Sequence, residues 1–237
     1  HAYGLLRNAI AGVATAFSLY KLVAYIQEST TLAARYETLG VAMIQVGRNA
    51  GYSAAQMNAF AASIQKSGIS MVESRSTLTQ MAQAHINLAD ASNLSRVAQD
   101  AAVIGNINSS EAFARMIHGI QSGQTEILRT IGITVNFEVA YQKMAYQLGI
   151  NQKMLTEGER AQARANVVME RGKDIAGAYE ASMATAGKQM SSMARYVEDL
   201  KVKIGGAFME AFTYKVFGQA EALKKLGAEM DKLAASG

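Results

Sequence analysis

No proline occurs anywhere in the 237 residues, and this constrains the fold more than any other single property of the chain. Proline fixes φ, lacks a backbone donor and ends helices, so a chain without it can run in long helices with few forced stops. The 20 glycines have to supply the breaks instead. Aromatic residues make up 7% of the chain, while alanine, leucine, methionine, glutamine and lysine are common, a usage that favours helix over the aromatic and β-branched composition of strands. The reading is an all-α protein: a compact multi-helix domain with long helices toward the C-terminus and little or no β structure.

Where helices begin is written in capping signals. Ser53 with Gln56, Ser70 with Glu73, Asn108 with Glu111 and Thr156 with Glu159 all follow the spacing in which a cap side chain and a residue three positions later satisfy each other's backbone N–H groups. Apolar residues at helical spacing follow the caps. Met57, Phe60, Ala61 and Ile64 come after the first, Leu78, Met81 and Ala82 after the second, and Phe113, Met116, Ile117 and Ile120 after the third. Breaks are expected at Gly68, around Asn87 to Asn93, at Gly105 to Asn108 and at Gly119 to Gly123, where the pair of glycines reads as a helix break.

Ile131 to Val139 is the one stretch with a period of two, Ile133, Val135, Phe137 and Val139 alternating with Thr134, Asn136 and Glu138. A lone strand has nothing to pair with, so an extended connector is expected. Beyond Thr156 the chain is richer in charge and alanine as far as Ser191. It then continues through Val197, Leu200, Ile204, Phe208 and Phe212, with helical spacing interrupted at Gly205 and Gly206. Gln219 to Ala235 places Ala222, Leu223, Leu226, Met230 and Leu233 on one face and reads as an amphipathic helix that needs a partner. Residues 1–50 form a weakly polar helical segment, 51–155 the multi-helix domain and 156–237 the long-helix region.

Leu5 to Gln27 carries only Arg7 and Lys21 as charges, but its uncharged run, Asn8 to Tyr20, falls short of the ~20 apolar residues that a membrane span requires. Packing against partner helices is the simpler reading, and Gly12 and Ala16, four apart, would permit close approach. The chain begins at His1, without an initiator methionine, and is expected to be one region of a longer protein, or else the whole of an unusually short one.

Little in the sequence points to chemistry. With no cysteine, neither a disulfide framework, a thiolate metal site nor a cysteine nucleophile can be built. His85 and His118 are the internal histidines; His118 follows Glu111 by seven residues, but no H-E-x-x-H arrangement accompanies them. The acidic pairs Glu157 with Glu159 and Glu198 with Asp199 read as solvated helix faces rather than the paired carboxylates of a glycosidase. Neither a phosphate-cradling glycine loop nor a nucleophile elbow occurs, Gly205 and Gly206 being followed by Ala207 and Phe208. The net charge of +4 comes from 23 basic and 19 acidic residues interspersed along the chain, Lys224 and Lys225 being merely a pair, which gives no surface for sequence-specific nucleic acid. No catalytic, cofactor-binding or metal-binding residue is expected, and the chain is not expected to be an enzyme. Thirteen methionines, among them Met57, Met81, Met116, Met144, Met169, Met183 and Met190, sit at core-type helical positions and read as core packing.

As text, the chain resembles the tail tape measure proteins of bacteriophages and prophages. The resemblance is carried by Ser76-Thr-Leu-Thr-Gln-Met-Ala-Gln-Ala-His-Ile-Asn-Leu-Ala-Asp-Ala-Ser-Asn-Leu94 and Ala98 to Ile104. It continues through Ser109 to Phe113, Ile117 to Ile133, Leu155 to Arg164 and Gly177 to Gln189, in order, over most of Leu39 to Phe212. What it implies is a structural protein of the virion that runs inside the tail tube, sets tail length during assembly in the host cytoplasm and leaves ahead of the DNA at ejection. Its partners would be the tail tube protein, tail assembly chaperones and tail tip or hub proteins, with self-association and possible contact with the host membrane, and without a cofactor. A membrane-active helical protein, suggested by Leu5 to Gln27 and the C-terminal amphipathic segment, is the alternative. A peptidoglycan hydrolase is a further one, suggested only by lytic domains that some tape measure proteins carry elsewhere. One continuous helix of this length would reach ~355 Å, and the glycine breaks point to a shorter, folded object.

Overall fold

Ser53, Ser70, Asn108 and Thr156 each stand immediately before a helix, as their spacing predicts. The computed structural model describes the backbone of residues 2–209 and the side chains of Lys21 and residues 24–209; among them every regular element is a helix and no strand occurs. In chain order these are α1 (Ala2–Asn49), α2 (Ala54–Lys66), α3 (Met71–Gln83), α4 (Ala91–Ile104), α5 (Ser109–Ser122), α6 (Thr125–Arg129), α7 (Phe137–Leu148), α8 (Glu157–Gly172), α9 (Ala178–Ser182) and α10 (186–209). Short 3₁₀ turns occupy Leu88–Asp90, Gln152–Met154 and Lys173–Ile175. The chain is all-α. The amphipathic stretch Gln219 to Ala235, Phe212, and the pair Lys224 and Lys225 lie outside the described residues.

Two units make up the chain, one from Tyr36 to Asp199 and one comprising the residues up to Arg35 together with those from Leu200 onward. The first holds the main core. Phe113, Met116, Ile117, Leu78, Leu94 and Met57 are completely buried in it, each contributing on the order of 1.5–3 kcal/mol by removal from water. Helix α8 adds Ala161, Ala165 and Val168 to this same core, so it joins residues on both sides of position 155. The latter part of α1 packs here as well. Met43 is buried, Gly47 leaves room for Met57, and the Arg75 guanidinium donates to the Tyr36 carbonyl at 2.6 Å while lying 3.5 Å above the Tyr36 ring centre.

Several expected breaks shift. Gly119 lies inside α5, where it leaves space for Leu128, and only Gly123, with φ of 72°, ends the helix in the left-handed conformation that glycine adopts without cost. The break expected around Asn87 to Asn93 runs instead from Ala84 to Asp90, and Asn93 is within α4. Gly205 and Gly206 do not interrupt helical structure; α10 passes through both. The long-helix expectation beyond Thr156 fails between Lys173 and Thr185, where a 3₁₀ turn and the five-residue α9 separate α8 from α10.

The period-two stretch splits. Ile131, Ile133 and Phe137 are buried and Val135 packs against the core, as alternation requires, but the extended backbone ends at Asn136. Its side chain accepts from the N–H groups of Glu138 and Val139 and starts α7, leaving Val139 exposed. The methionines divide likewise. Met57, Met81 and Met116 are core, Met169 packs against it, and Met183 and Met190 are exposed, the latter at 70%.

In the second unit α10 meets α1 through small residues. Gly205 is buried against the Ser29 carbonyl, so close that a Cβ would collide with backbone, and Ser29, Thr30, Ala33 and Val202 are buried around it. Lys201 donates to Glu28 at 2.5 Å and lies 5.5 Å from the Tyr25 ring centre. Among the described residues no helix is long and apolar enough to cross a membrane.

Candidate functional site

The histidine and carboxylate pairs that the sequence offers are not brought together as a reaction centre. Glu111 is engaged by Arg115 at 2.6 Å, one turn along its own helix, while the exposed His118 is at the far end of α5. His85 follows the end of α3 with φ of 57°, a left-handed backbone uncommon outside glycine, though histidine, asparagine and aspartate adopt it more often than most. It packs over Gly158, where any Cβ would meet it, and so borders a shallow surface hollow with Thr156, Glu157, Glu159 and Gln162. The carboxylates there are committed to structure. Glu159 accepts from the Thr156 backbone N–H at 2.7 Å and from its hydroxyl at 2.8 Å, and these two bonds hold its carboxyl below the usual glutamate range. Glu157 lies 3.7 Å from Arg160. Gln162 spans the hollow's edge, accepting from the Asn87 N–H and donating to Asp90 and Asn166. Among the described residues no three His, Asp or Glu side chains converge as a metal would need.

Two buried cations, neither of which the sequence marks, organise the larger unit. Arg164 of α8 is 6% exposed and reaches the C-terminus of α5, donating through Nε to the Ile120 carbonyl, through Nη2 to the Gln121 carbonyl at 3.2 Å and through Nη1 to the Tyr141 hydroxyl at 2.8 Å. A cation at the negative end of a helix dipole is in its favourable place, and its donors satisfy carbonyls that the helix leaves unpaired. Tyr141 is in turn stacked on Phe137 with ring centres 6.4 Å apart.

Lys188 near the start of α10 is the second, 7% exposed, with its ammonium 3.5 Å from the Ser109 hydroxyl and 4.7 Å from the Tyr179 ring centre. Burial pushes its pKa below the usual lysine range; Arg195 acts in the same direction and Asp100 opposes it. Around it, carboxylates and helix starts pair across the fold. Asp100 of α4 accepts from the Tyr179 N–H in the first turn of α9 at 2.8 Å, and Asp199 of α10 accepts from the Met71 N–H in the first turn of α3 at 2.8 Å. Glu198 accepts from the hydroxyl of Ser70, the cap of α3, at 3.2 Å. The Ser70 N–H donates to the Ser110 hydroxyl at 2.9 Å. So Glu198 and Asp199, expected as a solvated face, serve as acceptors at a helix N-terminus 128 positions away in the chain.

The arrangement is thus a polar seam joining helix ends, with hydrogen bonds that position elements. A second surface cleft runs between α7 and α8 over Ala140, Met144, Ala163 and Val167, and the Lys143–Glu170 pair at 3.2 Å is on its border. Lys188, Asp100, Tyr179 and Arg164 escape sequence reasoning because each acts on an element distant in sequence; the one local cue is the Gly177–Tyr179 start of α9. Compared with protein-family models, with curated proteins and with solved structures, the chain matches none of them.

Proposed function

We propose that this chain is a region of a phage tail tape measure protein, a structural, non-enzymatic component that sets tail tube length during assembly and accompanies DNA ejection. The observation that supports the reading is the order of the resembling segments and where they fall. Ser76 to Leu94 covers the latter part of α3 and the start of α4, Ala98 to Ile104 the second half of α4, Ser109 to Phe113 and Ile117 to Ile133 most of α5 with α6, Leu155 to Arg164 opens α8, and Gly177 to Gln189 spans α9 and the start of α10. These quoted segments lie in the unit from Tyr36 to Asp199, within a resemblance that covers most of Leu39 to Phe212. Its expected partners are the tail tube protein, assembly chaperones, tip or hub proteins and further copies of the chain, in the tube lumen.

The test is tail length by electron microscopy after in-frame deletion of Arg160 to Lys188 from the full gene. A helical ruler advances 1.5 Å per residue, so these residues, if helical in the tube, account for about 44 Å. Tails shortened by that amount are the expected result. Assembled tails of unchanged length would remove this region from the ruler.

A further inference from the structure

Among the described residues, the core of the larger unit takes its buried members from Met43 to Val168, and the last side chain packed against it is Ile175. The stretch 178–199, α9 with the first part of α10, adds none. Its own apolar side chains face outward: Met190 is 70% exposed, and Met183, Met193 and Val197 are exposed too. What it turns inward is polar, namely Lys188 to Ser109, Glu198 to Ser70 and Asp199 to Met71, while Asp100 reaches back to Tyr179.

The geometry points to 178–199 being a strap that opens and closes on the helical body as one cooperative piece, latched at its two ends by reciprocal capping. At one end the body lends a carboxylate, Asp100, to the first turn of the strap's α9; at the other the strap lends a carboxylate, Asp199, to the first turn of the body's α3. Amides in a helix's first turn have no partner within the helix, so each of these N–H groups depends on the other side of the seam. Segments held by few apolar contacts open at lower free energy than the core around them. Gly177, with φ of 87° and open space around it, breaks the chain just before α9, and Gly187, equally unencumbered, lies in the first turn of α10. This inference does not depend on the tape measure reading.

The test is amide hydrogen exchange on the full chain, resolved at Met71 and Tyr179. In the unaltered protein both amides should exchange at the same rate, at least about tenfold faster than the central amides of α4 and α5. Asp199→Ala removes the acceptor of Met71 directly, so acceleration there is trivial. The informative amide is Tyr179, 20 positions from the substitution, which a cooperative strap accelerates by about tenfold, a charge-assisted bond having been lost. Asp100→Ala should do the converse at Met71. Central amides of α4 that keep their protection show that the body remains folded. If Asp199→Ala accelerates Met71 and leaves Tyr179 unchanged, or if every amide accelerates together, no strap exists.

Discussion

Helices α2 to α5 and the stretch 178–199 are both helical and rich in alanine and methionine, yet they are held in opposite ways. In α2, α3 and α5 a local cap is present, a Ser or Asn bonded to an N–H three residues on, and across α2 to α5 the apolar face is buried, as at Met57, Leu78, Leu94 and Phe113. In 178–199 the polar face is inward and the apolar face is in solvent; Thr185 caps α10 locally by accepting from the Lys188 N–H, but the first turn of α9 takes its partner from α4. The difference teaches that a methionine or leucine at helical spacing establishes a face but not which way the face points. What decides is whether the opposing surface offers volume to fill or unsatisfied donors to bond.

The largest expected effect sets these two regions against each other. Phe113→Ala empties a completely buried site and should cost about 3–5 kcal/mol. Met190→Ala, at a side chain 70% exposed, should stay within about 0.5 kcal/mol. Urea unfolding of the two variants measures both. A loss at Met190 comparable to that at Phe113 would mean that its stripe is covered, and the contrast between the regions would collapse.

How much was legible follows the same division. Local signals carried: the four caps, the breaks at Gly68 and at Gly105 to Asn108, and the inward alternation of Ile131, Ile133 and Phe137 are interactions within a few residues, which is what a sequence records. Gly119 and Gly205 were misread because a glycine that breaks a helix and one that admits a neighbour look alike without the neighbour, here Leu128 and Ser29. Asn136 held a local cap signal that the alternating pattern around it obscured, and its capture of the Glu138 and Val139 amides ended the extended stretch three residues early. The polar seam was invisible for a harder reason. Asp199 and Met71, or Lys188 and Ser109, are joined only by the packing of helices far apart in the chain, and one sequence contains no trace of that pairing.

Adjacent glycines on α10 sharpen the contrast at intermediate size. A Cβ on Gly205 would collide with the Ser29 backbone, whereas Gly206 has open space around it. Gly205→Ala should therefore destabilise by about 1–3 kcal/mol through overpacking, while Gly206→Ala should stabilise by about 0.5–1 kcal/mol, alanine losing less backbone freedom in a helix. Thermal melts of the two variants should move in opposite directions. Melts that move together would show that helix propensity alone governs this stretch and that α10 does not press on α1 through Gly205.

The smallest effect tests local capping itself, and the chain carries its own control. Ser53 with Gln56 and Thr156 with Glu159 are both complete reciprocal boxes, but only the second can titrate. Hydrogen bonds from Thr156 to the carboxylate hold Glu159 below the ordinary value of 4.5. Between the folded-state value and 4.5 the unfolded chain binds more protons than the folded one, so stability rises with pH across that window. The contribution is fully present above 4.5 and is lost as pH falls through the folded-state value. Glu159→Gln keeps the bond to the Thr156 N–H without the charge, as Gln56 does for Ser53. Its urea midpoint should therefore fall less than that of the parent as pH is lowered from 7 through 4.5 and below. Parallel acid profiles would show that the box contributes through geometry alone and not through the charge on Glu159.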